Sequence, residues 1–332
     1  MHCALLLNRL LPNGHRGLLA TLLGFVALAG FAPAAQAQIG GAAVVFLMIE
    51  PDSRSAGMGN TGVAIADNAN AIFWNPAGLA YQTGSEAALT HSNWLPEFDA
   101  GLFYEYLVAK HHIEGWGTLG AHVTYLFLGD HEYRDAQNNP LGEFKSYDLA
   151  SGASYGFHLG EHIALGTGLR LIYSSLARGV TVGAQETNPG VSAGVDVAGL
   201  FRTSPMNLGG TDMTYSFGFN LANMGPKIQY SDQGQADPIP TNLRFGYAAT
   251  FEFDEYNKLT LLTDLNKMLV HRSDSATADP FYKAIFSAWS PMEACPGPVS
   301  DCEKDPSKIT SLNAFEQMTL GAGMESFSGD QL

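Results

Sequence analysis

The strongest constraint on the fold is a repeated alternation of apolar side chains with small or polar ones. Four long stretches show it: 118–127, 162–174, 212–221 and 242–253. In the first stretch the two sets are Leu119, Ala121, Val123, Tyr125 and Phe127 against Thr118, Gly120, His122 and Thr124. Successive side chains point to opposite faces of a strand, so each stretch predicts a β-strand with one apolar face.

Two architectures fit such strands. A soluble sandwich or barrel packs the apolar face inward, whereas a membrane barrel turns it towards lipid and keeps the polar face in the lumen. The stretches reach the roughly 9–11 residues that a tilted strand needs to cross a bilayer. Their opposite faces carry Gly, Arg, Glu, His and Asp, which fill a dry core poorly. We therefore expect an all-β fold, a transmembrane antiparallel β-barrel.

The connections between the stretches alternate in length. Tight turns such as 159–161 separate long polar connections at 129–145, 177–189, 227–240 and 272–312. Barrels of the bacterial outer membrane have short periplasmic turns and longer outer loops. We count about eleven candidate strands, the last near 317–327, and we expect the chain to stop before the barrel closes.

The N-terminus carries an export signal. Arg9 and Arg16 flank the start, an apolar run covers 17–31, and Ala35-Gln36-Ala37 follows as a small-x-small cleavage site. This order predicts a secretory signal peptide over 1–37. An uncleaved membrane anchor is the alternative, and the apolar run is short for one. No later window approaches roughly 18 consecutive apolar residues, which excludes a helical membrane protein.

Charge and cysteine usage agree with export. The 332 residues carry a net charge of −15, and an acidic chain without a cationic face excludes nucleic acid as a partner. Cys295 and Cys302 bound a small Pro-rich loop, which predicts a disulfide in an oxidising compartment, with two free thiols as the alternative. The histidines do not recur at metal-ligand spacing, so we expect no metal, cofactor or catalytic site.

A compact segment without strand alternation precedes the strands. Residues 51–81 are rich in Gly, Ala and Asn, and we expect 38–84 to form a plug inside the barrel that 85–332 builds. The turn at the end of this segment, Asn75-Pro76-Ala77-Gly78, joins the plug to the first strand. If the plug moves when a partner binds, this turn is the expected pivot.

Three glycines in the same segment match a binding motif. Gly57, Gly59 and Gly62 have the spacing of the dinucleotide fingerprint. That fingerprint follows a strand and opens a helix, and neither is predicted here. We therefore interpret these glycines as positions where the backbone turns tightly in a packed segment.

Two further patterns concern polar residues on the strands. Residues 152–156 match the hydrolase nucleophile elbow around Ser154, but the alternation continues where that motif needs a turn and a helix. Polar side chains on the non-lipid faces are candidates for a network in the lumen: Arg170, Arg244, Asp264 and Asn266. For Asp264 and Asn266, a charged rim at the end of an apolar strand is the alternative.

Six segments together carry a family resemblance over about 46–327. They are Phe46-Leu-Met-Ile-Glu-Pro-Asp-Ser-Arg-Ser-Ala-Gly-Met-Gly-Asn60, Phe73-Trp-Asn-Pro-Ala-Gly-Leu-Ala80, Asn223-Met-Gly-Pro-Lys-Ile228, Ile239-Pro-Thr-Asn-Leu-Arg-Phe-Gly246, Asn257-Lys-Leu-Thr-Leu261 and Asp264-Leu-Asn-Lys-Met-Leu-Val270. The chain thereby resembles the PorV family, outer-membrane barrel components of the type IX secretion system. The cysteine loop is a departure from the family pattern.

The resemblance implies a fold and a function. The implied fold is a FadL-like barrel of fourteen strands with an N-terminal plug in the outer membrane. The implied function is not enzymatic. Such a protein binds the C-terminal signal domain of secreted cargo at the translocon and carries it to the surface attachment complex, which contains a sortase-like protease. The Asn-Pro-Ala-Gly segment is shared with FadL-like proteins more widely, so a transporter of hydrophobic small molecules is the alternative.

Overall fold

The computed structural model describes residues 41–135, 137–182, 185–208, 210–231, 236–272, 278–290, 292–294, 310–312 and 319–328. The predicted signal peptide over 1–37 and the predicted disulfide between Cys295 and Cys302 lie outside the described residues. In the described part of the chain, no helix is long and apolar enough to cross a membrane.

The chain is organised around one antiparallel sheet. Its strands, in chain order with those of two small hairpins, are β1 (Ser85–Asn93), β2 (Phe103–Ile113), β3 (Gly117–Arg134), β4 (Pro140–His158), β5 (Ile163–Ser175), β6 (Thr181–Val182), β7 (Gln185–Glu186), β8 (Gly190–Arg202), β9 (Met206–Leu208), β10 (Thr211–Met224), β11 (Asn242–Glu252), β12 (Asn257–Met268), β13 (Met292–Ala294), β14 (Thr310–Leu312) and β15 (Thr319–Ser328).

The strand order follows the chain. The main sheet runs β1-β2-β3-β4-β5-β8-β10-β11-β12-β15, and β9 pairs with β10 at its side. The hairpins β6–β7 and β13–β14 stand apart from it. The sheet is curled and antiparallel, which confirms the predicted β-barrel wall. Its final strand, β15, confirms the strand expected near 317–327.

The two faces of the sheet differ as the alternation predicts. In β3, Leu119 is 47% exposed and Val123 40% exposed on the convex face, whereas Thr118 and His122 are buried on the concave face. The same division holds in β5, where Leu169 is exposed and Arg170 is buried. Apolar side chains outside and polar side chains inside are the arrangement of a barrel that faces lipid.

A row of aromatic rings crosses four neighbouring strands on the convex face. Phe103 on β2 lies 5.9 Å from Tyr125 on β3, measured between ring centroids. Tyr125 lies 5.7 Å from Tyr147 on β4, which lies 6.0 Å from Tyr173 on β5. Aromatic girdles mark the level of the membrane interface in such barrels. The row lies at the beginning of β2 and near the end of β5, which is where such a girdle is expected on these strands.

The connections on the two ends of the sheet differ. At one end, β2–β3, β4–β5 and β11–β12 are joined by short turns at 114–116, 159–162 and 253–256. At the other end lie the longer connections 94–102, 176–189, 225–241 and 269–318. We call these the inner end and the outer end, because barrels of this class carry their long loops outside the cell.

The predicted loop over 129–145 is wrong for most of its length. β3 continues to Arg134 and β4 begins at Pro140, so most of these residues form a paired hairpin. Polar side chains are compatible with a strand that has water on both faces, and composition alone could not separate the two cases. The long connection 225–241 also differs from an outward polar loop, because Ile228 and Ile239 are buried against the core.

The segment before β1 lies on the concave face. It contains α1 (Ser53–Gly57), α2 (Ala71–Trp74) and two 3-10 helices, Val45–Met48 and Pro76–Tyr81. Asp52 caps α1, because its Oδ1 accepts a hydrogen bond of 2.8 Å from the Ser55 amide. Ile72 and Leu79 are buried in the main apolar cluster with residues of β2, β3 and β4.

A short helix, α3 (Phe281–Ser287), lies in the connection between β12 and β15. Asp279 precedes it and accepts hydrogen bonds from Lys283 Nζ at 2.7 Å and from Ser287 Oγ at 2.7 Å. His271 Nδ1 lies 2.9 Å from the same carboxylate. These contacts lower the pKa of Asp279 below its usual value of 3.8, and the hydrogen bond from Lys283 has the largest effect.

We expect acid to loosen α3. A lowered pKa means that the ionised carboxylate stabilises the folded loop; this contribution is complete above the unfolded-state pKa and is lost as pH falls below it. Hydrogen exchange at 281–288, corrected for intrinsic rates, should therefore be constant from neutral pH down to about pH 5 and rise below about pH 4. The Asp279→Asn variant should exchange faster at neutral pH and lose this pH dependence. A wild-type profile that stays flat into acid would contradict the assignment.

Candidate functional site

The concave face of the sheet is closed by the segment before β1. The 3-10 helix Pro76–Tyr81 packs against β3, β4, β5 and β8. Two glycines of the wall permit this approach. A Cβ on Gly166 would lie 2.2 Å from the Ala77 amide nitrogen, and one on Gly156 would lie 2.6 Å from the Pro76 carbonyl oxygen. The wall and the helix are therefore in backbone contact.

The three glycines of the fingerprint spacing differ in their surroundings. Gly59 has a φ of +73°, which favours glycine. A Cβ on Gly62 would lie 2.6 Å from the Trp74 ring, whereas a Cβ on Gly57, the last residue of α1, would meet nothing within 4 Å. Only Gly59 and Gly62 thus have a steric or conformational reason to be glycine.

The turn Asn75-Pro76-Ala77-Gly78 is buried. Asn75 Nδ2 donates to the carbonyl oxygens of Val63 at 2.8 Å and Gly199 at 3.1 Å, and its Oδ1 accepts from the Ala77 amide at 3.0 Å. A Cβ on Gly78 would lie 2.2 Å from the Ala66 carbonyl oxygen. A pivot at this turn must break the hydrogen bond from Asn75 to the wall strand β8.

The side chain of Asp264 on β12 binds backbone amides of the plug. Its Oδ2 accepts hydrogen bonds from the amides of Gly62 at 2.7 Å and Val63 at 3.0 Å. The residue is fully buried on the concave face. Room for its carboxylate comes from Gly246 on β11, where a Cβ would lie 2.6 Å from Oδ1. A wall carboxylate thereby satisfies two buried plug amides.

Arg244 on β11 holds the plug from a neighbouring position. Its Nη1 donates to the Phe73 carbonyl oxygen at 3.1 Å. The guanidinium carbon lies 4.5 Å from the ring centroid of Phe73 and 5.3 Å from that of Trp74, so the cation contacts two aromatic faces. Trp74 is held in turn, because its Nε1 donates to Asp52 Oδ2 at 2.9 Å.

Arg170 on β5 pairs with a residue that sequence reasoning missed. Its Nη2 donates to Asp196 Oδ2 on β8, and both side chains are buried. Asp196 Oδ1 accepts from the Asn223 amide at 2.8 Å. The signal was present in the sequence, since Asp196 falls between Val195 and Val197 on the polar face of an alternating strand. Only the register of β5 with β8 identifies it as the partner.

The four candidate network residues therefore fall into separate groups. Arg244 and Asp264 lie on adjacent strands and both contact the plug, through Phe73 and Gly62 respectively. Asn266 lies opposite Arg244 in the register and is half-buried. Arg170 lies on another part of the wall, bound to Asp196.

We expect the Arg170–Asp196 pair to be needed for stability. Asp196→Ala leaves the buried Arg170 without its carboxylate and the Asn223 amide without its acceptor, and should lower the free energy of unfolding by about 3–5 kcal/mol. The paired replacement Arg170→Met with Asp196→Leu should recover part of that loss, because neither charge of the pair remains buried, while the Asn223 amide still lacks its acceptor. Urea unfolding in detergent micelles measures both variants.

An exposed ion pair supplies the control for these replacements of Arg170 and Asp196. Arg134 Nη2 lies 2.6 Å from Glu132 Oε2, with both side chains largely in water. Glu132→Ala should change the free energy of unfolding by about 0–1 kcal/mol. Equal effects of Asp196→Ala and Glu132→Ala would contradict the role assigned to the buried pair.

Little space separates plug and wall where the two meet at β2 and β3. A cavity of about 10 Å³ there is lined by Leu47, Ile72, Phe73, Tyr104, Tyr106, His122, Thr124 and Arg170. The hydroxyl of Tyr106 and Nδ1 of His122 have no hydrogen-bond partner among the described residues. A polar cavity of this size holds about one water molecule. It has no room for an acyl chain.

The outer end of the lumen is covered by the first described residues. The Ala43 amide donates to the Pro238 carbonyl oxygen at 2.9 Å. Arg272 Nη2 donates to the Gly41 carbonyl oxygen at 2.8 Å and to Asp237 Oδ1 at 2.6 Å. Arg272 thus joins the N-terminal segment to the connections 225–241 and 269–318.

Ser154, the centre of the nucleophile-elbow match, lies within β4 and is buried on the concave face. No turn or helix follows it, since β4 continues to His158. In the described part of the chain, no group of three or more His, Cys, Asp or Glu residues is placed to hold a metal ion. Among the described residues, the concave face carries contacts between plug and wall together with the pair of Arg170 and Asp196 within the wall.

Comparison with models of known protein families identifies the family of this chain. The family described as type IX secretion system protein PorV matches residues 32–275, which is more than half of the chain. The match covers the plug and the strands from β1 to β12, including the residues that join plug to wall. The comparison with curated proteins finds no match.

Proposed function

The chain belongs to the PorV family of the type IX secretion system, and from that premise we propose that it binds secreted cargo by a C-terminal signal domain. We further propose that it carries this cargo from the translocon to the surface attachment complex, where a sortase-like protease acts. Family membership makes it an outer-membrane component of type IX secretion.

The observation that carries the proposal is the contrast between a filled lumen and an exposed outer end. The plug occupies the concave face and is held by Asp264, Arg244 and the backbone contact at Gly166. At the outer end, the β3–β4 hairpin and the connection 94–102 expose their side chains to water. Binding at that surface requires no movement of the plug.

The alternative function, transport of hydrophobic small molecules, needs a path along the lumen. The cavity found between plug and wall holds about one water molecule. Buried charged groups line the wall, including Arg170, Asp196 and Asp264, and an apolar ligand would leave them without solvation. Transport past the residues that line this cavity would therefore require the plug to move.

We place the protein in the outer membrane, with lipid against its convex face and with translocon and attachment-complex proteins as its partners. An outward apolar face such as that of β5 fits lipid. We assign it no enzymatic role, no metal and no cofactor.

A binding measurement on the protein purified from membranes tests the proposal. We expect a purified C-terminal signal domain from an exported protein of the same organism to bind the barrel in detergent micelles. A barrel that fails to bind this domain, and instead carries stoichiometric lipid in its lumen by native mass spectrometry, would favour the transporter. The same domain with its terminal strands deleted is the control ligand.

A further inference from the structure

The outer hairpin of β3 and β4 extends beyond every neighbouring strand. Pairing of β2 with β3 ends at Phe103–Phe127, and pairing of β4 with β5 ends at Tyr147–Ser175. β3 and β4 continue together to the pair Arg134–Pro140. At about 3.3 Å per residue, the extra length is on the order of 20 Å. We call 129–134 with 140–146 the outer arm.

The outer arm lies outside the membrane. It begins where the aromatic row of Phe103, Tyr125, Tyr147 and Tyr173 ends. Its charges pair within the arm, as Lys145 does with Asp130 at 3.1 Å. A two-stranded ribbon with water on both faces is marginally stable by itself, and it gains stability from a third strand.

The two edges of the outer arm are not equivalent. The β4 edge faces the connection 176–189, since Ser146 Oγ donates to the Leu176 carbonyl oxygen. The same connection also contacts a side chain of β3, because the Tyr133 hydroxyl donates to the Thr181 carbonyl oxygen at 2.9 Å. The β3 edge over Asp130–Arg134 pairs with no strand among the described residues. Unpaired amides and carbonyls along a strand form a template for another strand.

The connection 94–102 contacts the first residue of the outer arm, next to this free edge. Its residues Ala100 and Leu102 lie next to Gly129, the first residue of the arm. Phe98 is 71% exposed and Leu95 48% exposed, although both are large and apolar. Leu95 and Asp99 have φ values of +48°, which is strained for residues other than glycine. Strain and exposed apolar groups together are typical of a binding loop.

We infer that the β3 edge over Asp130–Arg134, together with the exposed Leu95 and Phe98 of the adjoining connection 94–102, docks an extended strand of a partner protein. The inference rests on the proposed function and assigns the occupant as a strand of the cargo's C-terminal signal domain. A free backbone edge is complementary to a polypeptide strand, which adds main-chain hydrogen bonds along it. The acidic side chains Glu97 and Asp99 favour a strand that carries Lys or Arg together with apolar residues.

Hydrogen exchange on the full-length protein in micelles, with and without one purified C-terminal signal domain, tests the docking site. Alternate amides of a strand point to each side, so an added strand should slow exchange at every second amide of 130–134. Exchange should also slow at 95–99. The amides of 141–145 on the other edge and of 253–256 at the inner end should not change.

A matched pair of variants completes the test. Phe98→Ala should weaken binding of the domain by about tenfold or more, as expected for a central aromatic anchor. Trp116→Ala should leave binding unchanged, because Trp116 is equally exposed but lies at the inner end. Binding without protection at 130–134, or with full affinity in Phe98→Ala, overturns the docking site and leaves the proposed function standing. Absence of binding by the wild-type barrel overturns both.

Discussion

Replacing Gly166 by alanine should displace the plug from the wall. The new Cβ would lie 2.2 Å from the Ala77 amide nitrogen and 2.3 Å from the Pro76 carbonyl carbon. Both are backbone atoms of the 3-10 helix Pro76–Tyr81, so no side-chain rotation relieves the clash. Overpacking of a tight core costs typically about 1–3 kcal/mol, and a backbone obstacle belongs at the upper end of that range.

The displacement is measured by hydrogen exchange at 76–82. We expect exchange there to accelerate in Gly166→Ala while the amides of β5, which are paired with β4 and β8, stay protected. Gly160→Ala is the matched control, because Gly160 lies in the β4–β5 turn and a Cβ there meets nothing within 4 Å. If both variants leave the exchange of 76–82 unchanged, plug and wall are not in the contact described.

Replacing Asp264 by alanine should release the opposite side of the plug. The change leaves the buried amides of Gly62 and Val63 without an acceptor. Each unsatisfied buried group costs about 1–3 kcal/mol. We therefore expect Asp264→Ala to lower the free energy of unfolding more than any single exposed acidic residue does, measured by urea unfolding in micelles.

Two variants isolate the cause of that loss. Asp264→Asn keeps an oxygen acceptor for the Gly62 and Val63 amides and should retain part of the stability. Glu252→Gln on the adjacent strand changes an exposed carboxylate and should have an effect within about 0.5 kcal/mol. An Asp264→Ala variant as stable as Glu252→Gln would show that the plug amides find other partners.

The alternation of side chains predicted the sheet because a strand has a period of two and lipid accepts only one kind of face. Leu119 and Thr118 could be assigned to opposite faces without any knowledge of neighbours. The position of Pro76–Tyr81 against Gly156 and Gly166 could not, because a glycine on a polar face is equally compatible with an open lumen.

Contacts that depend on the register between two strands could not be predicted from the sequence. Arg170 and Asp196 meet because β5 and β8 pair with a particular offset, across a connection that includes the β6–β7 hairpin. The outer arm was missed for a related reason. The irregularity between Phe127 and Gly129 changes which side chains of β3 face inward, and the regular alternation ends there.

In the proposed function, the plug stays in place on the concave face while the outer end binds protein. The turn Asn75-Pro76-Ala77-Gly78 remains our proposed pivot for any plug movement, and such movement would break the bond from Asn75 to Gly199. A cross-link between this turn and the wall should therefore leave cargo export intact if binding occurs only at the outer end.

Surface delivery of cargo in a strain lacking this protein tests the central claim most directly. The measurement is the fraction of exported proteins with C-terminal signal domains that is accessible to protease on intact cells. We expect these proteins to remain inside the outer membrane in the deletion strain and to reach the surface again when the intact gene is restored. Normal surface delivery without the protein would contradict the account.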